Sequence, residues 1–111
     1  MEFNVIPLDS FKQNFKTLQK KYRNIKNDFK KLTLELEKNP QKGIFLGHNC
    51  YKLRVANSSV PTGKSGGFRT IYYFVDEHNS IYLIAIYSKT QKENVSENEL
   101  LELLKMNGLN K

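Results

Sequence analysis

The sequence predicts an α+β domain with the element order β-α-α-β-β-β-α, and three patterns carry that prediction. Apolar residues recur at Phe11, Phe15, Leu18, Tyr22, Ile25, Phe29, Leu32 and Leu36, in alternating steps of four and three that trace one face of a helix. Three segments, Cys50 to Ala56, Gly67 to Val75 and Ser80 to Ser88, are rich in the β-branched and aromatic residues that suit strands. Ser96 followed by Glu99 makes a capping box ahead of Leu100, Leu101, Leu103 and Leu104, so a last helix starts there. A chain of 111 residues suits one compact domain spanning residues 1–111.

The chain opens between Glu2 and Leu8 with Phe3 and Val5 alternating with polar neighbours, a short strand that Pro7 ends. Asp9 or Ser10 is placed to cap the helix that follows. No Pro or Gly interrupts the helical stripe before Pro40, so one long helix and a hairpin of two helices both fit. A lone helix of that length leaves much of its stripe uncovered in so small a chain. A hairpin is therefore predicted, broken between Arg23 and Asp28, where Asn24, Asn27 and Asp28 offer caps. Asn39-Pro40 ends the helical part, and Gly43 and Gly47 bracket a loop. From Cys50 onward, Tyr51, Leu53 and Val55 alternate with Lys52 and Arg54, a half-buried strand with one cationic face. A Ser- and Gly-rich loop, Asn57 to Gly66, leads into the next strand. Asp76 to Asn79 turns the chain into the last one, and Gly108 stops the final helix.

The net charge of +7 points to a polyanionic partner, with RNA or DNA foremost. The excess sits in the helical part: Leu8 to Lys42 holds ten Lys or Arg against four Asp or Glu. Cys50 is the only cysteine, which excludes an intrachain disulfide and fits a reducing compartment. At the head of an apolar strand it reads as a core or edge residue rather than a nucleophile. No apolar run is long enough for a signal peptide or a membrane span, so a soluble cytoplasmic protein with no membrane partner is expected.

The chemistry concentrates between Gly63 and Lys89. Gly63-Lys64-Ser65 looks like the end of a phosphate-binding P-loop, but Ser58 stands where that motif needs glycine, and the segment leads into a strand rather than a helix. The glycines at 63, 66 and 67 permit close approach to a phosphate or simply a mobile loop. Lys52 and Arg54 share one strand face because side chains alternate with period two. Arg69 begins the next strand and Lys89 follows the last. On neighbouring strands these cations line one surface, able to hold a bent RNA backbone and to stabilise extra charge on a phosphorane. The plainer reading is four solvent-facing cations, against which Arg69 stands between Phe68 and an apolar run. Tyr51, Tyr72, Tyr73 and Tyr82 are expected in cross-strand packing. Tyr87, at a strand end beside Ser88 and Lys89, is the tyrosine best placed for RNA. His48 and His78 lie in separate turns with no Cys or carboxylate at ligand spacing, so no metal or other cofactor is expected.

The segments CYKLRVA, GGFRTIYYF and IYLIAIYSK, followed by a polar linker and a leucine-rich helix, resemble the RelE/ParE toxin superfamily. Within it they are most similar to the HigB-like ribosome-dependent mRNA interferases of bacterial type II toxin–antitoxin systems. The resemblance covers nearly the whole element order and is sharpest from Cys50 to Ser96. It implies a helical hairpin packed on a small, curved, mostly antiparallel sheet. It also implies a metal-independent endoribonuclease that cuts mRNA in the ribosomal A site by 2′-OH attack and so inhibits translation. The implied catalytic set is Arg54, Lys64, Arg69, Tyr87 and Lys89, with Lys52, Arg54, Lys64 and Lys92 on the RNA. Some relatives carry a catalytic tyrosine beyond the last strand where this chain has Val95, which leaves proton transfer to Tyr87 or a lysine. The implied partners are mRNA on the ribosome and a cognate antitoxin bearing a DNA-binding domain. Two alternatives stay open: a ParE-like poison of DNA gyrase, a class that lacks the cationic set, and a catalytically weak RNA-binding relative.

Overall fold

The computed structural model describes residues 3–60, 67–92 and 94–109. Its elements are β1 (Asn4–Pro7), α1 (Asp9–Lys21), α2 (Ile25–Lys38), β2 (Ile44–Gly47), β3 (Cys50–Val55), β4 (Phe68–Val75), β5 (Ser80–Ser88) and α3 (Glu97–Met106). The strands form one sheet in the order β1-β5-β4-β3-β2. β1 runs parallel to β5, and the remaining pairs are antiparallel. The α+β class is as the sequence predicts, with one strand more than the predicted order. The extra strand, β2, lies where a loop between Gly43 and Gly47 was expected. Ile44 and Phe45 pair with Lys52 and Tyr51, and Gly47, His48 and Asn49 all take positive φ to turn the chain into β3. Four residues with two large apolar side chains left exposed carry no alternation for a sequence pattern to register.

Each face of the sheet has its own core. Phe11, Leu18, Tyr22, Ile25, Leu32 and Leu36 of the helical stripe pack on one face, against Leu53, Phe68, Tyr72 and Leu83 among others. Leu100 and Leu104 of α3 pack on the other, against Cys50, Ile71, Ile84 and Ala85. The predicted hairpin forms, and it breaks just after Lys21. There the Asn24 amide donates to Ser59 Oγ at 2.9 Å, and Asn24 Nδ2 donates to the Ser58 carbonyl at 3.4 Å.

The helix ends divide into one that follows the sequence and one that does not. At α3 the box is complete: Ser96 Oγ accepts from the Glu99 amide and the Glu99 carboxylate accepts from the Ser96 amide, both at 3.1 Å. Gly108 then takes φ +69°, and the Leu109 amide reaches back to the Leu104 carbonyl at 2.8 Å. At α1 neither Asp9 nor Ser10 caps; Leu8 holds that position without a side-chain bond. The Ser10 hydroxyl is spent on the sheet instead, donating to the Ile84 carbonyl at 2.5 Å. Among the described residues no helix is long and apolar enough to cross a membrane.

Candidate functional site

A bulge decides which side of the sheet carries Tyr87. Along β5, Ile81 and Leu83 face the helical hairpin, and strict alternation puts Ala85 and Tyr87 there too. Between Ile71 and Tyr72 the register shifts: Tyr72 pairs with Leu83 but Ile71 pairs with Ala85, leaving Ile84 as the extra residue. Beyond it Ile86 faces the hairpin, and Ala85 and Tyr87 join the opposite core. The bulge lies where β1 has ended, so α1 takes over the edge of β5. Ser10 accepts no part of that task alone: Asn14 Oδ1 accepts from the Ile86 amide at 3.2 Å, next to the Ser10 bond to Ile84.

With Tyr87 turned over, three strands present one row. Arg54 on β3 is the register partner of Arg69 on β4, and Arg69 is the partner of Tyr87 on β5. Directly opposed residues of antiparallel strands project to the same side, with Cβ atoms about 5 Å apart. Lys52, two residues before Arg54, shares that side. The row differs sharply in exposure. Arg54 is exposed, whereas Arg69 is 1% and Tyr87 6% exposed. Arg69 Nη1 donates to the Gly67 carbonyl at 3.1 Å, and the amide of Lys89 donates to the same oxygen at 3.3 Å. Gly67 therefore ties the start of β4 to the end of β5. Only glycine fits there, because a Cβ would lie 2.0 Å from the Val55 carbonyl oxygen.

The linker after β5 returns across this row. Lys92 Nζ lies 5.8 Å from the centre of the Tyr87 ring and is paired with the Glu99 carboxylate. Lys52, 8% exposed, donates through Nζ to Asn94 Oδ1 at 2.7 Å. Lys89 is exposed at the row's end. A cavity of about 390 Å³ opens beside Tyr87 between α1, β5 and α3, and Val95, Lys92 and Glu99 line it with Tyr87. Glu99 is held below the usual carboxylate value, first by the hydrogen bond from Lys92 and next by the Ser96 amide.

Of the predicted site residues, Arg54, Arg69 and Tyr87 form the row, Lys52 joins its face, and Lys92 and Lys89 lie at its margin. Lys64 and the rest of the glycine loop from 61 to 66 lie outside the described residues. Cys50 is fully buried, and burial pushes its thiol up to about 12, so it is a core residue without nucleophilic character. Tyr51 and Tyr72 stack at 5.3 Å in the hairpin-side core.

Two residues that matter here were not read as such from sequence. Asp28 was read as a helix cap; it is 3% exposed inside α2, and both its oxygens accept from the Ser58 amide, at 3.1 and 3.3 Å. The signal was its place at a buried position of the stripe, three residues after Ile25. Asn94, the partner of Lys52, carries no pattern that marks it.

A family model described as the RelE toxin of the RelE / RelB toxin–antitoxin system matches residues 10–110. Among solved structures, a mutant E. coli toxin RelE in the free state is similar over 96% of this chain and 98% of that one, at 18% identity and a TM-score of 0.64. The intact E. coli RelBE toxin–antitoxin complex matches over 76% of this chain and 93% of that chain, at 18% identity and a TM-score of 0.57. At such identity the structural likeness speaks for the fold, and the family match speaks for descent. On the match over residues 10–110, the chain belongs to the RelE toxin family.

Proposed function

We propose that the chain is a type II toxin that cuts mRNA in the ribosomal A site. The observation that carries this reading is the cross-strand row of Arg54, Arg69 and Tyr87, flanked by Lys52. In the reaction the ribose 2′-oxygen bonds to the adjacent phosphorus as the bond to the 5′-oxygen breaks. The 2′ proton passes to a base and the leaving 5′-oxygen takes up a proton, giving a 2′,3′-cyclic phosphate and a 5′-hydroxyl. Arg54, exposed and planar, suits a bidentate hold on the non-bridging oxygens. Arg69 adds a buried positive charge behind it, which gains weight as the phosphorane becomes more negative. In this reading the cationic row does the charge stabilisation that a metal ion does in other nucleases.

Tyr87 and Lys89 are the groups proposed for proton transfer among the described residues. Val95 stands in the linker where some relatives carry tyrosine, and it shares a cavity with Tyr87. The phenol of Tyr87 therefore borders the space that a tyrosine at position 95 would occupy. Lys64, through the glycine loop, remains part of the proposed catalytic set, and Lys52, Lys64 and Lys92 of the proposed RNA contacts. The solved RelBE complex supports an antitoxin as the protein partner. That the antitoxin also binds DNA, and that the toxin acts in the cytoplasm, belong to the same proposal.

The test is brief expression in bacteria followed by mapping of the 5′ ends of cellular mRNA. New ends within translated frames are expected, reduced about 100-fold or more in Arg54→Ala if it holds the transition-state charge. Arg54 is the cleaner probe than Arg69, whose loss also removes a buried bond to Gly67. Growth arrest with intact mRNA would move the reading to gyrase; normal growth with intact mRNA would move it to a binder without catalysis.

A further inference from the structure

The helical hairpin carries a feature that ribonuclease chemistry leaves unused. Phe11 and Phe15 on α1 and Phe29 on α2 meet ring to ring, with centroids 5.4 to 6.1 Å apart. Phe11 is buried, but Phe15 and Phe29 are only partly covered. Beside them opens a cleft of about 310 Å³, walled by the three rings, Pro7, and the stems of Lys12 and Lys26. Its lining is wholly apolar, with room for a large apolar side chain.

The surround of this cleft is cationic. Lys12 and Lys26 stand at its rim, and Lys16 and Lys30, the next residues along on the same helices at i+4, are exposed as well. The segment from Leu8 to Lys42 holds ten Lys or Arg against four acids. One of those acids, Asp28, is turned inward onto Ser58. A nucleic acid would use the lysines but gains nothing from a floor without a hydrogen-bonding group. An amphipathic helix uses both. Its apolar anchors at i and i+3 or i+4 enter the cleft while carboxylates on its flanks meet the lysines.

We propose that the cleft between α1 and α2 is the docking site for an acidic amphipathic helix of a partner protein. Naming that partner the antitoxin rests on the toxin reading above; the chemistry of the cleft does not. The hairpin covers the opposite face of the sheet from the arginine row, so a helix docked there leaves Arg54 open.

The test uses a labelled synthetic helix with leucines on one face and glutamates along both flanks, titrated into the purified full chain by fluorescence anisotropy. Saturable binding is expected, with protection from hydrogen exchange at residues 11–16 and 25–30. It should weaken at least about tenfold in the surface variant Lys12→Glu/Lys26→Glu, whose fold circular dichroism checks. A peptide with lysines in place of the glutamates should not bind. No saturable binding of the acidic peptide, equal binding to the charge-reversed variant, or protection confined to other segments would each overturn the proposal. So would loss of ribosome binding by the charge-reversed variant without loss of the peptide. None of these outcomes bears on mRNA cleavage, which the 5′-end mapping decides separately.

Discussion

The Asp28 carboxylate on α2 accepts from the Ser58 amide through both oxygens, at 3.1 and 3.3 Å, thirty residues further along the chain. This bond joins the helical hairpin to the end of the strand that carries Arg54. Asp28→Ala leaves a backbone donor without its acceptor and should cost about 1–3 kcal/mol. The loss reads as a lower urea midpoint at unchanged slope. An Asp28→Ala protein as stable as the parent would show that the bond has no net worth.

Gly67 should tolerate no side chain. A Cβ there meets the Val55 carbonyl oxygen at 2.0 Å and the Asn57 amide at 3.0 Å, both backbone atoms fixed by the sheet. Gly67→Ala should cost at least about 1–3 kcal/mol through forced backbone shifts. It should also weaken the bonds by which Arg69 and the Lys89 amide share the Gly67 carbonyl. Thermal unfolding checks the first effect, and the chemical shift of the Lys89 amide checks the second.

Cys50 should resist alkylation in the native state. Its burial is complete and its thiol is pushed up to about 12, so almost no thiolate exists at pH 8. Iodoacetamide should modify it in urea at the ordinary rate and hardly at all in buffer. Labelling of the folded chain at the free-thiol rate would contradict the placement.

The start of α3 should respond to acid with a defined sign. Glu99 is depressed below 4.5 in the folded chain, first by Lys92 and then by the Ser96 amide. A depressed carboxylate contributes stability above its unfolded value, and the contribution is lost as pH falls through the folded value. Hydrogen exchange at Leu100 and Leu101 should therefore accelerate below about pH 4.5. Lys92→Ala removes the larger cause and should move the Glu99 titration back toward 4.5 in a carbon-detected NMR series. An unchanged titration would assign the depression to the cap alone.

What the sequence disclosed follows from periodicity. The stripe from Phe11 to Leu36 fixed the hairpin, because its breaks and partners are local. The capping box at Ser96 and Glu99 was equally plain, since both partners lie within one turn. Lys52, Arg54 and Arg69 were read as neighbours because alternation on β3 and the short passage to β4 left little freedom. The bulge at Ile84 was not legible. It is set by bonds to Ser10 and Asn14, more than seventy residues away, and the local sequence Leu83-Ile84-Ala85-Ile86 alternates smoothly through it. β2 was missed for a related reason: it is a strand by virtue of pairing with β3, not by its own pattern.

The place of β1 in the sheet has a consequence for synthesis. The first strand made rests against the last, and the Ser10 hydroxyl that braces Ile84 also accepts from Asn107, 97 residues later. A nascent chain thus exposes the apolar stripe of α1 and α2 long before the surface that covers it exists. Pairing across such distances is slow, because loop closure must precede the contacts that reward it. Tyr87 cannot be turned toward Arg69 until Asn14 finds Ile86. The row is therefore assembled only after the chain has nearly left the ribosome that made it.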